Sequence, residues 1–114
     1  MQDRFNFRVW DEPNKKIIYD VIKDLRYYLS YDVFEVMQCT GLKDKNGKLI
    51  YENDIVKTLY TRPDGVVINR NCIIEYNRGA FWINYGIGAS YLYNDECIYE
   101  IIGNIYENKE LLNE

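Results

Sequence analysis

The residues of this chain able to do chemistry are few, and their spacing narrows them further. Histidine is absent, which removes the commonest general base, the commonest metal ligand, and both the Ser-His-Asp and Cys-His nucleophile arrangements. Serine is confined to Ser30 and Ser90. What remains for acid-base work is paired carboxylates, Glu52 with Asp54 and Asp95 with Glu96, because two-carboxylate hydrolysis needs one acid held protonated beside one ionised. Both pairs stand beside turn residues, where acidic side chains are ordinarily solvated and serve the turn.

Two loops invite a ligand reading and fail it. Asp44-Lys45-Asn46-Gly47 resembles part of a calcium loop, but Gly47 at the sixth position puts Leu42 at the first and Asn53 at the twelfth, where carboxylates are required. Gly86-Ile87-Gly88-Ala89-Ser90 lacks the third glycine and the strand-to-helix setting of a phosphate-binding turn. The three cysteines, Cys39, Cys72 and Cys97, are odd in number and widely spaced, unlike a zinc site or a disulfide scaffold. Reduced thiols acting as small apolar fillers are the expectation, with neither metal nor cofactor.

The remaining constellation mixes cations with rings. Arg62, Arg70 and Arg78 fall among Tyr60, Tyr76, Phe81 and Trp82, and a single-stranded nucleic acid is held this way, its bases stacked on rings and its phosphates on guanidinium groups. Arg62, Arg70, Arg78, Tyr76 and Trp82 are therefore the candidate contacts. The plainer reading makes these arginines hairpin charges that keep strand edges soluble. Trp10 and Trp82 read as core residues, with a partner anchor as the alternative.

Short strands must position these groups. The chain has 114 residues, an apolar fraction of 47%, twelve tyrosines, four phenylalanines and two tryptophans, and such an aromatic excess favours half-buried strands. Phe5, Phe7 and Val9 alternate with polar or amphipathic neighbours, Asp11-Glu12-Pro13-Asn14 turns the chain, and Ile17 to Tyr19 returns it. Val21, Ile22, Leu25, Tyr28 and Leu29 recur at helical spacing, with Asp20 as the expected N-cap. Val33 to Gln38 alternates again, and turns are expected at Thr40-Gly41 and at Asp44 to Gly47. Ile55 to Tyr60, Val66 to Ile68, Cys72 to Tyr76, Ala80 to Tyr85, Tyr91 to Tyr93 and Ile98 to Ile102 follow as evenly spaced short strands, which predicts a small barrel. The boundary is expected in the turn region from Gly41 to Gly47, giving an α+β portion over 1–47 and a barrel over 48–114 in one compact unit.

A net charge of −4 gives no overall attraction to nucleic acid or to an anionic membrane surface, so duplex DNA and membranes are not expected partners. No apolar h-region follows Met1, and no run approaches 18 uninterrupted apolar residues, which predicts a cytoplasmic protein.

Two runs carry a more specific signal. Val36 to Val56, including Thr40-Gly41-Leu42-Lys43-Asp44 and Tyr51-Glu52-Asn53-Asp54, is answered by Ile101-Ile102-Gly103-Asn104-Ile105-Tyr106-Glu107-Asn108. With Phe7-Arg8-Val9-Trp10-Asp11 they resemble the YopX-like family of small phage and prophage proteins, and the resemblance spans Phe7 to Leu112. It implies an N-terminal α+β portion, an SH3-like β-barrel and no recognised catalytic residues. Where the family usually has an aromatic residue, a glycine and a proline, this chain has Cys39, Asn53 and Lys109. Asn replaces Gly best at a left-handed turn, so the turn around Asn53 is expected to persist.

The resulting expectation is a mainly β, α+β protein without catalytic function, a phage or prophage accessory protein acting through protein contacts. Its partner is expected to be itself, as a homo-oligomer, or a host or phage protein. A single-stranded nucleic-acid-binding module is the alternative, and an enzyme with a carboxylate site the weaker one.

Overall fold

The structure, a computed structural model, describes residues 5–86, 88–92 and 97–113. The Asp95–Glu96 pair, Tyr93, Ile87 and residues 1–4 lie outside them. Among the described residues nine strands form two antiparallel sheets, the first of four strands and the second of five. The molecule measures 50 × 33 × 27 Å.

The first sheet follows the alternation near the N-terminus. Strands β1 (Phe7–Asp11) and β2 (Lys16–Tyr19) make a hairpin, and β1 also pairs with β3 (Phe34–Lys43), which in turn pairs with β4 (Leu49–Tyr51). Directly opposed residues share a face, so Phe7, Val9, Val36 and Phe34 look one way and Arg8, Trp10, Met37 and Cys39 the other. A short helix, α1 (Leu25–Leu29), packs on β3, with the Tyr28 ring edge-on to Phe34 at 4.9 Å.

Four local expectations change. Asp20 does not cap the helix: it holds φ +57°, and a single 3-10 turn over Ile22–Asp24 leads into α1 with no side-chain cap bond. Thr40-Gly41 is not a turn but the bulged part of β3, where the pairing with β4 shifts between Cys39 and Lys43 and Gly41 supplies φ +84°. Leu49–Tyr51 forms a strand that its three residues alone do not signal. The runs Val66 to Ile68 and Cys72 to Tyr76 are one strand, because Asn69, Arg70 and Asn71 continue the ladder opposite Leu59, Thr58 and Lys57.

The second sheet runs in the order β8-β7-β6-β5-β9, with β5 (Asp54–Thr61), β6 (Val67–Asn77), β7 (Ala80–Asn84), β8 (Ala89–Tyr91) and β9 (Cys97–Asn104). It curls into a half-barrel, so the protein is mainly β with an α+β organisation. Its concave face carries the core: Ile50, Val56, Cys72, Ile74, Ile83 and Leu92 are buried, with Phe81, Tyr85, Tyr99 and Ile101 packed on them. Burying each aliphatic side chain of this set contributes roughly 1.5–3 kcal/mol, which sets the register of β5, β6 and β7.

The turn Glu52-Asn53 carries the chain from β4 to β5. Asn53 adopts φ +67°, as the replacement of a turn glycine by asparagine predicts. The turn over Asp44 to Gly47 docks on the outer edge of β9. There Asp44 Oδ2 accepts the Ile101 N–H at 3.0 Å, and the Lys45 N–H donates to the Tyr99 carbonyl at 2.9 Å.

Candidate functional site: a seam and a concave trough

The two runs that carry the family resemblance meet in space. Asn53 donates its side-chain amide to the Tyr106 hydroxyl at 3.1 Å, and its carbonyl accepts the Ile105 N–H at 3.0 Å. Tyr106 lies flat against Trp10 of β1, ring centroids 5.2 Å apart and 9° from parallel. The turn is built by Asn104, whose Oδ1 accepts the N–H groups of Tyr106 and Glu107 at 3.0 and 2.9 Å while its Nδ2 donates to Glu107 Oε1 at 2.7 Å. Gly103 is required by contact: a Cβ there would stand 2.5–2.7 Å from the Asn108 side chain, and Asn108 Oδ1 is needed to accept the Asn104 N–H.

Beneath this turn runs a buried ion pair. Arg8 Nη2 donates to Asp54 Oδ1 at 2.8 Å and to the Glu52 carbonyl at 3.1 Å, and Asp54 Oδ2 accepts the Tyr51 N–H at 2.8 Å. Both side chains are at most 4% exposed. Burial pushes the Asp54 carboxyl above its usual range against the opposing pull of Arg8 and the Tyr51 amide. Burial likewise raises Glu52, whose Oε1 accepts the Gln38 N–H at 2.8 Å. The Glu52–Asp54 pair of the sequence is thus divided: Asp54 is committed to Arg8 and Glu52 to the backbone of β3. Tyr51 lies under Arg8, 4.8 Å from guanidinium to ring centre, and its phenol is pushed up to about 12, chiefly by burial. These residues join two sheets.

The concave face of the half-barrel is open at one end. Thr58 and Tyr60 of β5, Ile68, Arg70 and Cys72 of β6, and Ile83, Tyr85, Ser90 and Cys97 surround a trough of about 370 Å³. Alternation along β6 explains it: Ile68, Arg70, Cys72, Ile74 and Tyr76 share one face, so the strand that supplies the core also aims Arg70 inward. The Arg70 guanidinium stands 5.9 Å from the Tyr85 ring centre. Burial raises the Cys72 thiol, against the Thr58 hydroxyl bonded to it at 3.5 Å and the Arg70 charge, so it stays a thiol rather than a nucleophilic thiolate. All three cysteines are thiols in this structure, and Cys39 and Cys72 are buried.

The five residues singled out for nucleic acid do not form one surface. Arg62 and Arg78 lie at opposite ends of the eleven-residue β6, roughly 30 Å apart at strand rise. Arg62 is ion-paired with Asp64 at 2.7 Å. Tyr76 is on the concave face and packs edge-on against Phe81 at 5.0 Å. Trp82 is on the convex face, stacked on Tyr91 at 4.3 Å, and shares a shallow recess with Arg78, Glu75, Asn77 and Ala89. Trp10, by contrast, is buried at the seam. Sequence reasoning missed the trough, though its signal was present: Arg70 two residues before Cys72 and two after Ile68 is a cation in an apolar alternation. Among the described residues no three of Cys, Asp and Glu come together as a metal site requires.

One further surface stands out around α1. Tyr27, Leu29, Tyr31 and Val33 are each 45–66% exposed, and Tyr27 lies 5.2 Å from Tyr31 and 5.8 Å from Phe34 by ring centres.

A short helix on a four-stranded sheet, locked by asparagine turns to a five-stranded half-barrel, defines a small mainly β domain. The sequence model described as YopX protein matches residues 22–113, and the chain belongs to the YopX family. Among solved structures it is similar to protein EF1440 from Enterococcus faecalis, at 28% identity and a TM-score of 0.63, over 94% of this chain and 96% of that one. It also shares the fold of protein yopX from Bacillus subtilis, at 20% identity and a TM-score of 0.66, over 96% of both chains. Comparison with curated proteins gives no match. No helix among the described residues is long and apolar enough to cross a membrane.

Proposed function

We propose that this protein is a non-catalytic phage or prophage accessory protein of the host cytoplasm that acts through protein contacts, beginning with a second copy of itself. The observation that carries this reading is the exposed aromatic surface of Tyr27, Leu29, Tyr31 and Val33 beside Phe34. A monomer gains nothing by holding these rings in water, and exposed apolar clusters of this kind mark interfaces. Tyrosine suits a two-fold contact because its hydroxyl both donates and accepts, so identical patches can satisfy each other. Gel filtration with light scattering is expected to show an oligomer that Leu29→Glu dissociates. A monomer at tens of micromolar, independent of concentration, rejects self-association.

The recess shared by Arg78 and Trp82, with Tyr91 stacked behind, supports single-strand binding as the second reading. Glu75 in the same recess and the net charge of −4 weigh against it. Fluorescence anisotropy with labelled strands is expected to show no duplex binding at physiological salt and no single-strand binding that Arg78→Ala or Trp82→Ala weakens. Salt-sensitive single-strand binding lost in those variants would make the second reading the better one.

A further inference from the structure

We propose that the concave trough is a binding site for a single-tailed amphiphilic carboxylate of about eight to twelve carbons. Ile68, Cys72 and Ile83 give it apolar lining, and Arg70 is the one charged side chain among its described lining residues. None of the ion pairs among the described residues uses Arg70, whose guanidinium instead faces the Tyr85 ring. A cation in a largely apolar trough complements an anion attached to an apolar body, and guanidinium matches the planar carboxylate geometry best. Ser90, on the edge strand β8, adds a hydroxyl to the lining.

The walls decide against a peptide as the occupant. They are side chains standing on one face of a sheet, where β6 pairs with β5 along Val67–Ile73 and with β7 along Ile73–Asn77. An extended peptide laid flat in the trough would bury more backbone donors and acceptors than the few polar side chains of its lining can satisfy, at a cost for each. A hydrocarbon tail makes no such demand and gains from every methylene buried. A volume of about 370 Å³ suits one such tail and excludes a helix or a second strand pair.

The experiment is calorimetric titration of the full chain with sodium decanoate kept below its micellar concentration, with amide NMR to locate the ligand. One-to-one saturable binding that shifts the Cys72, Ile83 and Ser90 amides is expected. Decanol should bind at least tenfold more weakly and decylammonium more weakly still. Arg70→Gln, on an exposed residue and so without effect on folding, should weaken decanoate about tenfold while leaving decanol unchanged. Ser90→Phe, which fills the trough from its outer strand, should abolish both, with circular dichroism confirming the fold. Absence of saturation, equal binding of decylammonium, an unaffected Arg70→Gln variant, or displacement of decanoate by a short apolar peptide of comparable affinity each overturns the proposal.

Discussion

Replacing Arg8 by alanine should destabilise the protein by about 3–5 kcal/mol, because it strands the Asp54 carboxylate in a seam from which water is excluded. Asp54 is 2% exposed, and apart from Arg8 the one hydrogen bond its carboxylate receives among the described residues is from the Tyr51 N–H, on Oδ2. The loss also removes the cation above the Tyr51 ring. Against a typical total stability of roughly 5–15 kcal/mol this is a large fraction, and a urea titration followed by circular dichroism measures it directly. The double variant Arg8→Met with Asp54→Leu is the informative control. It removes both charges together, so neither is left desolvated without its partner, and its loss should be much smaller than that of Arg8→Ala alone. A loss below about 1 kcal/mol for Arg8→Ala would mean that water reaches Asp54 at the seam.

The second large effect is expected at Asn104. Alanine there leaves the N–H groups of Tyr106 and Glu107 without their acceptor and Glu107 without its amide partner. Two backbone donors losing their acceptor in a side chain that is 7% exposed cost about 2–4 kcal/mol together. Asn104→Asp keeps the acceptor oxygen but turns its second oxygen on Glu107 Oε1, so it should recover only part of the loss. Because Tyr106 stacks on Trp10, tryptophan fluorescence should shift in Asn104→Ala before global unfolding, which separates a local loss of the turn from general destabilisation.

Period-two patterns made most of the strands legible from sequence: β1 and β2, the start of β3, and the pairing partners in the half-barrel all follow alternating apolar residues. What escaped was set by contacts distant in sequence. Leu49–Tyr51 is too short to show a period and is a strand because β3 offers it an edge. Gly41 carries turn chemistry, but a bulge needs the same positive φ as a turn, and only the neighbouring strand distinguishes them. The polar triplet Asn69-Arg70-Asn71 read as a break; Asn71 instead donates its side-chain amide to the Leu111 carbonyl, so a 3-10 turn over Lys109–Asn113 satisfies what would have been a loop side chain. The same misreading hid the trough, since Arg70 is seen to face inward only once β6 is continuous. Likewise Glu52 and Asp54, a possible catalytic pair in one dimension, are pulled to different partners by residues 14 and 46 positions away.

The docking of the Asp44 turn on β9 bears on how the protein survives at high concentration. The outer edge of a sheet is a template on which another chain can add a strand, and here two of its backbone groups, at Tyr99 and Ile101, are taken by Lys45 and Asp44. That guard is ionisable. Burial opposes the charge on Asp44, yet the N–H groups of Ile101, Lys48 and Asn46 together hold its carboxyl below the usual value. A lowered folded-state value means that its contribution is present above about pH 4 and is lost as the pH falls through the folded value. Acidification should therefore do more than loosen the fold: it should unmask β9 and start edge-to-edge aggregation, seen as turbidity or thioflavin binding below pH 4. Asp44→Asn, which keeps an acceptor but no charge, should aggregate with a flatter dependence on pH. A wild-type protein that stays clear under these conditions would show that the edge is protected by something other than this carboxylate.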